Sequence, residues 1–205
     1  MVEYEVKMTL TEEALGTAPG NVELYRDWVA SKHPTGVIQP DELVTIDNIG
    51  VDIDDEVNKG VTFFHRTDKN EPFIYDYVIK GFFKDACGAL RKADDTLSSK
   101  VKAYKKEIDG LIFINPRQIV CQIPEGLEMG FCERPLRCST PQGERVALAR
   151  SETIPAGTVL EFRVTLLTEK LEDVMYEWFD YGKYRCLGQW RNSGKGRATF
   201  DIKKV

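Results

Sequence analysis

Residues 2–10 alternate between apolar side chains at the even positions and charged or polar side chains at the odd positions. This period of two is typical of a β-strand with one buried face. The same alternation recurs in residues 159–167 and in residues 197–203. A compact apolar run at 111–114 predicts a fourth strand.

Two segments instead repeat apolar residues at the spacing of an α-helix. In residues 79–92 the apolar residues form one stripe, and Lys80, Lys84 and Arg91 fall on a different face. Such a helix buries one side and offers cations on another. A second amphipathic helix is predicted over residues 169–181.

The strongest elements follow one another as strand, helix, strand, strand, helix and strand. This β-α-β-β-α-β order is that of the ferredoxin-like or RRM-like fold, and it predicts an α+β protein. We predict one domain over residues 1–205, with an acidic insertion at 11–75 and a thumb-like hairpin insertion at 116–157. Weaker signals predict a helix over 21–31 and a strand over 60–66.

The hairpin is predicted from a Pro-Gln-Gly turn signal at 141–143 that divides two arms, each with two arginines. We expect this hairpin to protrude, because its arms are not hydrophobic enough to be central in a sheet. The arginines of the arms are Arg134, Arg137, Arg145 and Arg150.

The net charge of −5 hides an asymmetry along the chain. Residues 1–75 carry 6 Lys and Arg against 15 Asp and Glu, a balance of −9, whereas residues 76–205 carry 22 against 18, a balance of +4. Such a difference between halves hints that the basic part binds a polyanion.

The five cysteines form no pairwise motif, and the closest two, Cys132 and Cys138, have five residues between them. This spacing does not fit a zinc knuckle, and with only His33 and His65 available we expect reduced thiols, no metal site and no cofactor. No stretch reaches the roughly 20 apolar residues that span a bilayer, and the N-terminus resembles no targeting peptide. We therefore expect a cytoplasmic protein without a membrane partner.

The glycine-rich loop at 188–197 is the most informative candidate site. Its glycines let backbone amides approach a ligand closely, its cationic side chains suit phosphate oxygens, and its tryptophan can stack on a base. A flexible solvated turn before an edge strand is the alternative. The candidate RNA-binding residues of the loop are Gly188, Trp190, Arg191, Ser193, Gly194, Lys195, Gly196 and Arg197.

Three stretches resemble the RAMP superfamily, the CRISPR-associated repeat-binding proteins. Residues 80–84 (Lys-Gly-Phe-Phe-Lys), continuing to the Gly-Ala-Leu-Arg at 88–91, are similar to the basic helix motif of that family. Residues 145–162 resemble the segment that returns from the family's thumb hairpin, and residues 188–197 resemble its C-terminal glycine-rich loop. Their order and spacing match the single-domain backbone subunits that polymerise along guide RNA.

The resemblance implies an RNA-binding protein that coats a small guide RNA as a head-to-tail oligomer and presents it for pairing with target DNA or RNA. The resemblance also implies RNA contacts outside the loop, assigned by residue type at the matching positions. These are Lys80, Gly81, Lys84 and Arg91 in the helix, and Arg134, Arg137, Arg145 and Arg150 in the thumb. Alternatives are helix-start geometry for Gly81 and an ion pair of Arg91 with a neighbouring aspartate.

Two departures from the family pattern suggest a divergent relative, carried by a phage or another mobile element. Val78 and Ile79 stand where many members have a serine pair, and the acidic stretch at 39–56 is not a feature of the CRISPR subunits.

Catalysis is not expected, because no motif singles out one of the loop acids Asp47, Asp52, Asp54 and Asp55, and His65 lies in an apolar strand. We therefore interpret the chain as a binder. Two other hypotheses stay open: an endoribonuclease of the same superfamily, and a RAMP-like protein that binds or inhibits another effector complex without an RNA of its own.

Overall fold

The computed structural model describes residues 1–19, 61–140 and 143–205. The predicted helix at 21–31 and the acidic residues at 39–56 lie outside these residues. The strands are β1 (Val2–Leu10), β2 (Ala14–Leu15), β3 (Ala18–Pro19), β4 (Val61–Phe63), β5 (His65–Arg66), β6 (Pro72–Tyr75), β7 (Ile112–Asn115), β8 (Gln118–Val120), β9 (Gly130–Thr140), β10 (Gly143–Ile154), β11 (Val159–Leu166) and β12 (Ala198–Lys204). The α-helices are α1 (Asp76–Leu90), α2 (Tyr104–Leu111) and α3 (Glu172–Tyr181), and 3-10 turns lie at Ser98–Lys100, Glu169–Leu171 and Arg191–Ser193.

The central sheet has the strand order β12-β1-β11-β7, with every neighbouring pair antiparallel. The helix α1 lies in the chain between β1 and β7, and α3 lies between β11 and β12. This connectivity confirms the predicted ferredoxin-like α+β fold. In the described residues no helix is long and apolar enough to cross a membrane.

One face of the central sheet and the two helices α1 and α3 form the main hydrophobic core. The alternation in β1 has the predicted effect, since its even-numbered residues from Tyr4 to Leu10 are buried. Aromatic rings pack the two helices against each other and onto the sheet: the centroid of Phe83 on α1 lies 5.5 Å from that of Trp178 on α3, and the centroid of Phe179 on α3 lies 4.7 Å from that of Phe200 on β12. The apolar faces predicted from the sequence are therefore the faces that form this core.

The hairpin of β9 and β10 is long and antiparallel, with Thr140 opposite Gly143 at its tip. Its base is not an isolated projection. The second arm, β10, also pairs with β2 at Thr153 and Ile154, and with β4 at Arg150 and Ser151. The expectation that neither arm would be central in a sheet is wrong for this end of β10.

Strand β10 can be central at this end because polar and small side chains fill the base of the hairpin. Ser151, Glu152 and Thr153 are buried there, and strand pairing needs backbone groups rather than apolar side chains. The carboxylate of Glu152 accepts a hydrogen bond from the backbone N–H of Phe64 (2.9 Å) and pairs with Arg66. Short strands from 14–19 and 61–63, within the predicted insertion, thus join the hairpin to the rest of the fold.

The carboxylate of Glu177 on α3 fixes the 3-10 turn that begins at Ser98. It accepts the backbone N–H groups of Leu97 (2.8 Å) and Ser98 (2.9 Å) and the Ser98 hydroxyl. The Ser98 oxygen in turn accepts the indole N–H of Trp178 at 2.9 Å. These hydrogen bonds therefore join the segment between α1 and α2 to the buried core.

We predict that Glu177→Ala lowers the free energy of unfolding by about 1–3 kcal/mol, because it leaves two backbone donors and a buried hydroxyl without their acceptor. Urea denaturation followed by circular dichroism measures this change. Glu125→Ala, which removes an exposed carboxylate in a turn, is the matched control and should change the value by no more than about 0.5 kcal/mol. Equal values for the two variants would contradict the capping role of Glu177.

Candidate nucleic-acid interface

A groove of about 500 Å³ runs along the exposed side of α1. Its floor is a stripe of residues at the helical spacing i, i+3, i+4, i+7, i+8 and i+11, which begins at Gly81 in α1 and ends at Lys92, two residues beyond the helix. The start of α2 forms one wall with Tyr104, and the segment after α3 forms the opposite wall. The groove thus lies where three separate parts of the chain meet.

The lining of this groove, which we call the α1 groove, is strongly cationic. Five cationic side chains and one carboxylate line it, and small residues form part of its floor. Cationic groups around a floor of small residues suit a phosphate chain, because the phosphates can approach the helix closely. The cations are Lys84, Lys92, Lys105, Arg185 and Arg191, the carboxylate is Asp85, and the small residues are Gly81, Gly88 and Ala89.

Asp85 joins the predicted basic helix to the predicted glycine-rich loop. Its carboxylate accepts the Nε–H of Arg185 at 2.7 Å and an Nη1–H of Arg191 at 3.0 Å. The Nη1 group of Arg185 also donates to the side-chain oxygen of Asn192. Both guanidinium groups are therefore positioned at the groove, and each keeps further N–H donors.

Lys84 and Lys80 both contact Asp109 in α2. The Lys84 ammonium pairs with the Asp109 carboxylate at 2.6 Å, and the two side chains are 31% and 56% exposed. An ion pair this exposed contributes about 0–1 kcal/mol, so Lys84 can exchange Asp109 for a phosphate at little cost. Lys80 is less available: its Nζ donates to the Asp109 carbonyl (3.3 Å), lies 4.8 Å from the centroid of the Phe113 ring, and has a pKa lowered by burial.

Gly81 lies in the middle of α1, where a Cβ atom would meet no atom within 4 Å. Glycine in a helix interior costs about 0.5–1 kcal/mol relative to alanine. The fold does not require this glycine, whereas a ligand that approached the helix backbone would. Helix-start geometry does not account for it either, because α1 begins five residues earlier at Asp76.

The glycines of the loop, in contrast, are explained by the packing of the chain on itself. Gly188 and Gly196 have left-handed φ angles of +74° and +69°. A Cβ at Gly188 would lie 2.7 Å from the Leu15 carbonyl oxygen, and one at Gly196 would lie 2.0 Å from that of Leu187. Close packing of the chain on itself explains both residues, so a direct RNA contact by Gly188, Gly194 or Gly196 stays a prediction.

The remaining loop residues differ in what they can offer. Lys195 pairs with Glu13, and this hydrogen bond raises the pKa of the lysine. Arg197 is exposed, and its Nε donates to the Tyr184 carbonyl at 3.2 Å. Ser193 is exposed. Lys195 is therefore already partnered, while Arg197 has guanidinium donors to spare.

Arg91, at the end of α1, lies over the ring of Tyr104 at 5.1 Å from its centroid. Within the described residues it forms no ion pair with Asp94 or Asp95, so this alternative for Arg91 is wrong. The ring of Tyr104 also contacts the groove floor, because its hydroxyl lies 3.0 Å from where a Cβ of Gly88 would be. Arg91 is exposed and sits beside the α1 groove rather than in its lining.

Arg134 differs from the predicted thumb contact, because its side chain is buried with 6% exposure. Its guanidinium donates to the Ser151 hydroxyl (3.1 Å) and to the side-chain oxygen of Gln189 (2.7 Å). The Gln189 amide donates to the Gly16 carbonyl (2.8 Å) and to the Thr62 hydroxyl (3.1 Å), and that hydroxyl donates to Ser151 (2.8 Å). Arg134 thus joins the hairpin base to the loop and is not available for phosphate in this arrangement.

The other hairpin arginines lie at two levels: Arg137 and Arg145 are nearer the tip than Arg134, and Arg150 is at the base. Arg137 is exposed. Arg150 lies over the Phe131 ring at 4.3 Å and 3.4 Å from the carboxylate of Glu133. The side chain of Arg145 lies outside what the structure describes. A phosphate contact by Arg137, Arg145 or Arg150 stays a prediction.

Trp190 combines exposure with an uncommon backbone. It has φ +53° and ψ +33°, a left-handed conformation that costs a bulky residue about 1 kcal/mol or more. Its ring is 42% exposed and lies 5.6 Å from the guanidinium of Arg134. It lines a hollow of about 420 Å³ next to the α1 groove, with Arg185 and Arg191 lining both.

The open face of the central sheet, which RRM domains use for stacking bases, has a different chemistry in this chain. On the central strands β1 and β11 it carries charged and polar side chains but no aromatic ring. Opposite charges face each other across strands: Glu5 lies beside Arg163, with a 2.9 Å ion pair, and Lys7 lies beside Glu161 and Asp201. This self-compensated face is a poor surface for RNA.

His65 lies in β5 and is 4% exposed. Its ring packs against Phe73 and Tyr75 at centroid distances of 5.3 and 4.7 Å, and burial lowers its pKa to about 3. The imidazole is therefore neutral and enclosed. Among the described residues, no group of three or more His, Cys, Asp or Glu is placed to hold a metal ion, and the loop aspartates at 47–55 lie outside those residues.

Several groove residues were missed from the sequence. Lys92 and Gly88 share the helical stripe of Gly81 and Lys84, so spacing along α1 would have found them. Lys105 and Arg185 come from other elements, and no local signal places either one beside α1.

No protein-family model matches the sequence, and no curated protein matches it. Among solved structures, a chain of the Type III-B Cmr-beta complex bound to cognate target RNA, determined by cryo-EM, shares the fold at 11% identity with a TM-score of 0.57. That match covers 100% of this chain and 60% of the other, so this chain spans less than two thirds of its length. A chain of a Type IV-B CRISPR complex matches at 14% identity over 98% and 90% of the two chains, with a TM-score of 0.47 that is too low to support an argument.

The likeness at 11% identity extends to the fold and not to the activity. Membership of the RAMP superfamily therefore stays a prediction.

Proposed function

We propose that this chain binds the sugar–phosphate backbone of a single-stranded guide RNA along the α1 groove. The observation that carries the proposal is the convergence of five cationic side chains on a groove whose floor includes the open glycine Gly81. Cations supply affinity for any phosphate chain, and the glycine supplies room for it beside the helix.

The guide-RNA role is supported by the shared fold with a chain of a CRISPR complex that is bound to cognate target RNA. Backbone contacts leave base edges free, so a guide held in this way can pair with a target DNA or RNA. We further propose that copies of the chain assemble head to tail along the guide. The excess of acidic residues in 1–75 and of basic residues in 76–205 supports such an assembly, because one copy's acidic part complements its neighbour's basic part.

We propose that the chain binds RNA without cleaving it. General-base catalysis needs a group that reaches the substrate and accepts its proton. The enclosed ring of His65, with its lowered pKa and aromatic neighbours, does not meet the first requirement. A conversion of labelled RNA to shorter products by the purified protein would favour the endoribonuclease hypothesis instead.

Reversing two charges in the groove should weaken RNA binding. We predict that the double variant Lys84→Glu, Lys92→Glu lowers affinity for an unstructured single-stranded RNA by roughly 10- to 100-fold, because two attractions become repulsions. The slope of log K against log salt should also become shallower by about 1.4, at about 0.7 per phosphate contact on a single strand. Fluorescence anisotropy over a salt series measures both quantities.

The matched control is Lys69→Glu, Lys170→Glu, which makes the same change of net charge at two exposed lysines outside the groove. Its affinity should stay within about threefold of the unmodified protein, because neither lysine lines the groove and the interactions of exposed charges are screened over a Debye length of about 8 Å. If the two double variants bind RNA equally well, the α1 groove is not the binding site.

Replacing Gly81 by alanine should change stability and RNA affinity in opposite directions. Gly81→Ala should raise the free energy of unfolding by up to about 1 kcal/mol through helix propensity, yet weaken RNA binding because a Cβ obstructs the backbone approach. Gly110→Ala is the matched control, since Gly110 is also exposed, helical and open, but lies outside the groove lining. Denaturant unfolding and RNA titration of both variants provide the measurement. An unchanged RNA affinity in Gly81→Ala would remove the functional explanation for this glycine.

Assembly on RNA predicts a large, nucleic-acid-rich species when the protein is expressed with its native flanking DNA. Size-exclusion chromatography with light scattering and the ratio of absorbance at 260 and 280 nm should show a peak of several subunits that shrinks on RNase treatment. Sequencing of the bound RNA would then identify the guide. A monomer free of nucleic acid would contradict assembly on RNA and favour the hypothesis that the chain binds or inhibits another effector complex.

A further inference from the structure

Trp190 lies at the junction between the α1 groove and the neighbouring hollow. Arg185 and Arg191 line both spaces, and Trp190 lines the hollow together with Asn192. A nucleic-acid strand whose phosphates lie in the groove would therefore have its next base within reach of an exposed aromatic ring. This arrangement places a phosphate site and an aromatic surface side by side.

The ring of Trp190 is held on one side by a cation. The Arg134 guanidinium lies 5.6 Å from the ring, and it is itself fixed by Ser151 and Gln189. A cation over the face of tryptophan is an attractive contact. Arg134 is 6% exposed while the ring remains 42% exposed, so the buried partner supports the ring and solvent reaches the rest of it.

The residues on either side of Trp190 are fixed by hydrogen bonds. Gln189 donates to Gly16 and Thr62, and Arg191 donates to Asp85 on α1. These two anchors hold Trp190 in its left-handed backbone conformation, which few bulky residues adopt. Strained residues that the surroundings hold in place occur preferentially at functional sites.

We infer that Trp190 is a stacking platform for one unpaired base of the RNA whose backbone lies in the α1 groove, an inference that rests on the proposed function. The platform selects single-stranded over double-stranded RNA, because a base within a duplex has both faces covered by its neighbours. It does not select a sequence, because every base has a π-face. The ligand at this position is therefore a nucleobase of any identity, stacked opposite the cation of Arg134.

The experiment compares three probes of equal length: an unstructured single-stranded RNA, the same strand with an abasic backbone, and the corresponding duplex. Trp190→Gly should weaken binding of the single-stranded RNA by roughly 5- to 100-fold, the range expected for one stacked base. Its affinity for the abasic strand should stay unchanged, because that strand has the same phosphates. Trp190→Phe should bind the single strand within about threefold of the unmodified protein, because phenylalanine also stacks.

Intrinsic fluorescence supplies a second readout. Stacking should quench the emission of Trp190 when single-stranded RNA is added to the unmodified protein, and this part of the quenching should be lost in Trp190→Phe, which keeps Trp28 and the buried Trp178. Circular dichroism establishes that each variant is folded, and glycine suits the left-handed conformation at this position.

The outcomes separate this inference from the proposed function. If the unmodified protein binds the single strand and Trp190→Gly binds it equally well, the inference that Trp190 stacks on a base is wrong, while the proposed binding of RNA in the α1 groove is unaffected. If the abasic strand loses affinity in Trp190→Gly as much as the normal strand does, the effect is structural and the inference is also overturned. If the unmodified protein binds none of the probes, both proposals fail.

Discussion

The carboxylate of Asp85 bonds two guanidinium groups, those of Arg185 and Arg191, and so fixes the chain after α3 against α1. Among the described hydrogen bonds, this contact alone ties Arg191 to the helix, and it adds to the packing of α3 on α1 that forms the second wall of the α1 groove. The contact also compensates part of the positive charge while it leaves N–H donors on both arginines. The position of Trp190, one residue before Arg191, depends on the same carboxylate.

A second anchor acts on the other side of that tryptophan. Gln189 is bonded to Arg134, Thr62 and the carbonyl of Gly16, which belong to the hairpin and to the segments that follow β1. The loop is therefore held between the hairpin base and α1. The loop needs its glycines because the chain passes close to Leu15 at Gly188 and close to Leu187 at Gly196. Loop, hairpin and helix form one surface rather than three independent motifs.

The sequence was sufficient for the central fold, because period-two and helical patterns report which face of each element is buried, as in β1 and α1. It also singled out two segments that line the candidate interface, α1 and the loop after α3. It could not assign roles within them, since Lys80, Arg134 and Gly196 differ from Lys84, Arg137 and Gly81 in three-dimensional surroundings rather than in local pattern. The buried state of Arg134 depends on Ser151 and Gln189, 17 and 55 residues away.

The net charge of −5 and the cationic groove are compatible because charge acts over short distances in salt solution. With a Debye length of about 8 Å, a phosphate in the groove interacts mainly with the groove lining and little with acids elsewhere on the surface. On the open sheet face the carboxylates of Glu5, Glu161 and Asp201 have cations beside them on neighbouring strands, which limits their field further. The central strands β1 and β11 therefore offer compensated charge and no aromatic ring to a nucleic acid. The helical side offers an excess of cations in the α1 groove and an exposed aromatic ring at Trp190. In this chain the two sides of the fold differ in chemistry, and the side whose charges and exposed ring suit RNA is the one built from α1 and the loop.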